Sequence, residues 1–139
     1  MKNNNKDLGC LGERCAKEYM EKKGFKELVH NYHSRYGEVD IILEDEKYIV
    51  FVEVKSRGAK KMFSGAEAVD INKRVKIIKT ALMFLSNNVT AKQPRFDVIE
   101  VRLSPSGDAK VIKHYENAFD GDEYDAFFWF ALWYIIQVT

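Results

Sequence analysis

The sequence predicts an α/β fold in which a mixed central sheet is flanked by helices. Three observations point that way. Two β-rich runs joined by an acidic turn occupy the middle of the chain, about Glu38 to Leu43 and Tyr48 to Lys55. A long amphipathic helical run follows them, and a further extended run lies beyond it. A first helical stretch precedes all of these. With 139 residues, 46% of them hydrophobic and 31% charged, the chain suits one soluble domain with a single sizeable core. That domain is assigned to residues 1–119, leaving 120–139 as a tail that is acidic and then aromatic.

Leu8 to Lys23 reads as the first helix, with Asp7 as N-cap and Gly24 just past its end. Leu8, Leu11, Cys15 and Tyr19 fall on one stripe that should pack on the sheet, with Glu13 off that stripe, in line with Ala16 and Met20. Phe25 to Tyr32 is the first strand, and Ser34 to Gly37 turns into the hairpin. After Lys55 comes a basic loop. The sequence Ser64-Gly65-Ala66-Glu67 reads as a capping box opening a helix over about Ala66 to Leu85, with Ile71, Val75, Ile78, Leu82 and Leu85 facing the core. Arg95 to Leu103 is a strand reached by a helical crossover, hence parallel to the strand before the helix. The turn Ser104 to Asp108 then returns Lys110 to Tyr115 as an edge strand.

The hairpin carries the chemistry. Strand side chains alternate between faces, so Val39, Ile41 and Leu43 are expected on one face with Val50, Val52 and Val54. The other face then collects Glu38, Asp40, Phe51, Glu53 and Lys55, with Asp40 opposite or diagonal to Glu53. Two carboxylates so close repel, and a hard divalent cation such as Mg²⁺ or Mn²⁺ would offset the repulsion. Lys55 on the same face could hold a phosphate oxygen or activate a water, which makes metal-assisted phosphodiester hydrolysis the implied reaction. Glu38 could serve as a supporting acceptor beside the ligands. The plainer alternative is a solvated charged face where Glu53 and Lys55 merely screen each other. Against it, Val-Phe-Val-Glu-Val reads as a buried central strand, where unpaired charge is costly.

Gly37-Glu38-Val39-Asp40 followed by Phe51-Val52-Glu53-Val54-Lys55-Ser56-Arg57 resembles the bacterial UPF0102, or YraN-like, family. That family is similar to Holliday-junction resolvases and restriction endonucleases of the PD-(D/E)xK superfamily. Gly9-x-x-Gly12-Glu13-x-x-Ala16, Lys73, Arg95-Phe96-Asp97-Val98 and Asn117-Ala118-Phe119 extend the resemblance over about residues 8 to 119. It implies a restriction-endonuclease-like core of helix, three strands, helix and strand. It also implies metal ligation by Asp40 and Glu53, Lys55 as the catalytic lysine, and Glu13 as a further carboxylate completing the site. A symmetric dimer cutting two strands is a further implication of the family.

Charge is unevenly spread. Eight Lys or Arg lie between Lys55 and Lys79 against Glu67 and Asp70, which places a basic segment beside the candidate site. Arg57, Lys60, Lys61, Lys73 and Lys76 are the expected phosphate contacts, and Arg35 is a further one. With no appended reader domain, recognition of DNA by shape, such as a branch, fits better than base readout. A non-catalytic nucleic-acid-binding module is the rival reading. His30 and His33 should point to opposite faces, which argues against a shared metal. Cys10 and Cys15 have poor disulfide spacing and no partners for zinc, and the N-terminus lacks an apolar signal segment, so a cytoplasmic protein is expected. The tail packs six aromatics into residues 127–136, too few apolar residues to span a bilayer. Self-packing or a dimer contact is its expected use, with a membrane-interface or partner contact as the alternative.

Overall fold

Helix, three strands, helix and two strands follow one another in the computed structural model, which describes residues 4–58 and 69–119. Strands β1 (Lys26–Ser34), β2 (Gly37–Glu44), β3 (Tyr48–Gly58), β4 (Gln93–Leu103) and β5 (Ala109–Phe119) stand in the sheet in chain order. All neighbours are antiparallel except β3 and β4, which are parallel and joined through helix α2 (Ile71–Asn87). This is the mixed α/β sheet that the hairpin and the helical crossover predicted, with β5 as an edge strand.

Helix α1 (Asn4–Lys22) begins earlier than expected, so Asp7 lies inside it. Asparagine caps a helix as well as aspartate does, and the Asn3-Asn4-Asn5 run left the start ambiguous. Its end is where glycine chemistry put it: Gly24 adopts φ +98°, and the Gly24 and Phe25 amides donate back to Glu21 and Met20 carbonyls. The buried line of α1 is Gly12, Ala16 and Met20, with Leu11, Cys15 and Tyr19 flanking it and Leu8 exposed. Gly12 decides this rotation. A Cβ there would fall 1.8 Å from Ser56 Oγ, so only glycine lets the helix approach β3 so closely.

Helix α2 starts at Ile71, not Ala66. Asp70, in extended geometry, caps it by accepting the Lys73 amide. Val69 just before it is buried, and Ile71, expected in the core, is exposed. The proposed capping box at Ser64 to Glu67 lies outside the described residues. The apolar face of α2 is Ile77, Ile78, Ala81, Leu82, Phe84 and Leu85, which packs with Ile42, Phe51 and Phe96 on one side of the sheet. On the other side, Ala16 and Met20 of α1 cover Ile41, Leu43, Val50, Val52, Ile99 and Val101.

The expected β2–β3 parity is observed, with Ile41 opposite Val52 and Leu43 opposite Val50. The simple alternation along β2 is not. Val39 joins the α2-side cluster while Ile41 joins the α1-side cluster, so the pattern slips at Asp40. The neighbouring strand slips at the same level: Val29 and Tyr32, three residues apart, both pack on the α2 side, with Asn31 between them at φ +50°. Asn31 and Asp40 are both missing from the regular β1–β2 pairing. Such a double irregularity re-aims side chains, and here it aims them at the candidate site.

The Arg95-Phe96-Asp97 and Asn117-Ala118-Phe119 segments interlock. Arg95 donates to both oxygens of Asp97 at 2.9 and 2.8 Å, and the Asn117 amide donates to Asp97 Oδ1 at 3.0 Å. His114 Nε2 lies 2.7 Å from Asp97 Oδ2, and its other nitrogen is 3.2 Å from the Tyr19 hydroxyl of α1. Phe96 stacks on Phe119 across the two strands. Burial alone would push the Asp97 carboxyl up, but hydrogen bonds from His114, Arg95 and the Asn117 amide outweigh it and hold it below the usual aspartate range. Arg95 and Asp97 therefore pair with each other, on the α1 side of the sheet, and fasten β4, β5 and α1 together.

Candidate metal centre and nucleic-acid face

Beyond the Ile41–Val52 pair, the β2–β3 ladder gives way to a side chain: Asp40 Oδ2 accepts the Val54 amide at 2.8 Å. Asp40 is thus turned into the seam between the strands, where it meets Glu53. Burial first, and the Glu53 charge second, push the Asp40 carboxyl up to about 8. The Asp40 carboxyl therefore keeps its proton at neutral pH when no divalent cation is bound. Glu53 itself is deeply set, its side chain 7% exposed.

Two amines answer Glu53. Lys55 Nζ lies 3.6 Å from Glu53 Oε1, and Lys73 Nζ, reaching across from the first turn of α2, lies 2.5 Å from the same oxygen. Burial, then the neighbouring Lys73, push the Lys55 amine below the usual lysine range. For Lys73 burial acts the same way but is outweighed by hydrogen bonding to Glu53 and Lys55, which holds its amine above that range. Lys73 was expected on a solvated phosphate-binding face; it is instead engaged with a candidate ligand. The helical stripe gave no hint of this, since nothing in the spacing tells which strand residue a first-turn lysine will meet.

Glu13 approaches from the α1 side. Its carboxyl is raised by burial, opposed by a hydrogen bond from Asn31, and raised further by the charges of Glu38 and Glu53. It lies in line with the buried Ala16 and Met20, so it faces the sheet where the sequence stripe had turned it away. The left-handed Asn31 that holds it is signalled in the sequence only by asparagine's tolerance of that conformation. A cleft of about 280 Å³ beside Glu13 is lined by Arg14, Lys17, His30 and Asn31 among others.

Among the described residues, no three acidic, histidine or cysteine side chains converge tightly enough to hold a metal by themselves. Asp40 and Glu53 do form a close, buried pair of hard oxygen donors. That set fits Mg²⁺ or Mn²⁺, since Mg²⁺ characteristically takes one or two carboxylates and keeps the rest of its shell for water and substrate phosphate.

The remaining candidates are dispersed. Glu38 is exposed and lies 3.2 Å from His33, while His30 lies 3.6 Å from Glu27, so the two histidines serve separate carboxylates. Arg57 sits beside the buried Glu100 at 3.7 Å. Lys76 is exposed on α2, and with Glu38, Asp70 and Lys73 it lines a second cleft of about 300 Å³. Gly37 opens β2 under the Lys76 Cβ, which a Cβ at Gly37 would meet at 3.3 Å. Arg35 donates to the neighbouring Tyr36 hydroxyl. Lys60, Lys61 and the aromatic tail lie outside the described residues.

The profile of the uncharacterised protein family UPF0102 matches residues 12–101. The chain belongs to that family. A UPF0102 protein of Caldanaerobacter subterraneus is 42% identical over 118 residues, covering 84% of this chain and 97% of the relative. One from a Sulfurihydrogenibium species is 46% identical over 112 residues, 80% and 92% of the two chains, and one from Clostridium kluyveri is 41% identical over 116 residues, 83% and 95%. The matched span contains Glu13, Asp40, Glu53, Lys55 and Lys73, so the candidate site of this UPF0102 chain lies within what defines the family. Among its described residues, no helix is long and apolar enough to cross a membrane.

Proposed function

We propose that this UPF0102 protein is a Mg²⁺- or Mn²⁺-dependent endonuclease that hydrolyses phosphodiester bonds in DNA, with a preference for branched substrates. The observation that carries the reading is the Asp40–Glu53 pair, two carboxyls pressed together in a strand seam with the Lys55 amine beside them. A protein that needed these residues only for stability would gain by losing one carboxylate. When bound, the cation would supply positive charge to the scissile phosphate and make an attacking water more acidic.

The chain's own residues supply the rest. Asp40 and Glu53 would hold the cation, and Glu13 adds negative charge from the α1 side. Lys55, beside Glu53, is placed to orient the attacking water and to donate a hydrogen bond to the phosphate as the new P–O bond forms and the opposite one breaks. Lys76, Arg57, Lys60 and Lys61 would contact backbone phosphates, which position a duplex without reading its sequence. A cytoplasmic protein working as a homodimer, one site per strand, completes the reading in the area of DNA repair or recombination.

The Lys73–Glu53 ion pair favours a second reading, a nucleic-acid-binding module in which the ligands are permanently tied up. Purified full-length protein incubated with branched and linear DNA and Mn²⁺ separates the two. Cleavage lost in Asp40→Ala and Lys55→Ala is expected. No cleavage, or cleavage that both variants retain, refutes the nuclease.

A further inference from the structure

Lys73 sits in the first turn of α2, the end of a helix where a positive charge is locally unfavourable, and among the described residues the one carboxylate at that end is the capping Asp70. Its backbone is nevertheless pinned there, because Asp70 accepts the Lys73 amide at 2.9 Å and Arg74 Nε donates to the Val69 carbonyl. The side chain crosses from helix to sheet and places its ammonium on Glu53 Oε1, closer than Lys55 comes to the same atom. The carboxylate so held is the one the proposed metal would need, and it is nearly buried, where an uncompensated charge is expensive. Lys73, by contrast, is 42% exposed, so it can withdraw toward solvent with its charge intact. Lys73 also lines a cleft with Lys76, Glu38 and Asp70, which gives its ammonium room beside α2.

We infer that Lys73 is the resident counter-cation of the unloaded site: it holds Glu53 in place until a divalent cation displaces it. This rests on the metal-dependent reading above. Lys73 is on this account a positioning residue that competes with the metal for one oxygen, and loading the site releases its ammonium into the cleft beside α2, where a backbone phosphate can take it up. The arrangement keeps Glu53 aimed at the seam when no metal is present and makes each unloaded site resist weakly bound cations.

Calorimetric titration of the full chain with Mn²⁺ alone, without DNA, tests this. Lys73→Met and Lys73→Gln, with folding checked by circular dichroism, should bind Mn²⁺ about tenfold tighter than wild type, because the competing charge is gone. Lys73→Arg, which keeps that charge, should stay within about twofold of wild type, and so should Lys76→Met, whose amine is not on Glu53. In wild type, acetylation of lysines mapped by mass spectrometry should show Lys73 becoming more reactive on adding Mn²⁺ while Lys76 stays constant. Equal or weaker Mn²⁺ binding in both neutral variants, or Lys73 reactivity that falls with Mn²⁺, overturns the inference with the metal reading intact. Absence of Mn²⁺ uptake in wild type and both neutral variants overturns the metal reading itself. Uptake by the neutral variants alone supports the inference in its strongest form.

Discussion

Replacing Asp40 by asparagine should make the metal-free protein more stable. The carboxyl is pushed up to about 8 in the folded chain from 3.8 in a free aspartate. The folded state therefore keeps a proton that the unfolded state has released, and stability falls as pH rises between those two values, then levels off. Holding this group protonated at neutral pH costs ~4 kcal/mol relative to a free aspartate, taken as a ceiling. Asparagine is the same size and already neutral, and its oxygen can still accept the Val54 amide, so the seam between β2 and β3 stays closed. Urea unfolding in EDTA at pH 5 and pH 8 measures the difference. The variant should gain about 2–4 kcal/mol over wild type at pH 8 and about 1–2 kcal/mol at pH 5. Added Mn²⁺ should narrow the gap by stabilising wild type alone. An Asp40→Asn protein no more stable than wild type at pH 8, or a gap that does not grow with pH, would refute the reasoning.

The other predictions concern separate parts of the molecule. Lys55→Met should lower DNA cleavage by about a hundredfold or more without weakening calorimetric Mn²⁺ binding, as expected of a group that acts on water rather than as a metal ligand. Gly12→Ala should destabilise by about 1–3 kcal/mol despite alanine's better helix propensity, because its Cβ meets Ser56; Ser56→Ala in the same chain should restore part of the loss in thermal melts. Arg95→Leu should cost about 3–5 kcal/mol by leaving Asp97 buried with less compensation. Because the Asp97 carboxyl is held below its usual range, the stability it confers is present above the unfolded value and lost as pH falls through the folded one, so Asp97→Asn should flatten the acid limb of the wild-type stability curve.

Much of this was legible from residue types alone. Gly24 marks the end of α1, the near-continuous apolar run around Val50 to Val54 marks a strand covered on both faces, and a crossover helix requires β4 to run parallel to β3. The pairing of Asp40 with Glu53 followed from parity, because every register consistent with the apolar pattern brings them to neighbouring positions. What stayed hidden depended on departures from regularity. The slip at Asn31 and Asp40 turns a side chain from a sheet face into a strand seam, and no alternation rule signals it. Glu13 was turned away by a stripe drawn through the larger residues, whereas α1 packs along its smallest, Gly12 and Ala16. Lys73 needed the start of α2, and two plausible caps six residues apart in the sequence, Ser64 and Asp70, place that lysine on different turns.

The division of labour between the two sides of the sheet has a practical corollary. The Arg95–Asp97–His114–Tyr19 clasp secures β4, β5 and α1 without touching Asp40, Glu53 or Lys73. A chain substituted at Asp40, Glu53 or Lys73 would keep this clasp and, with it, the fold. Soundness of the scaffold is therefore uninformative about the proposed cleavage, and only an assay that follows bond breakage tests it.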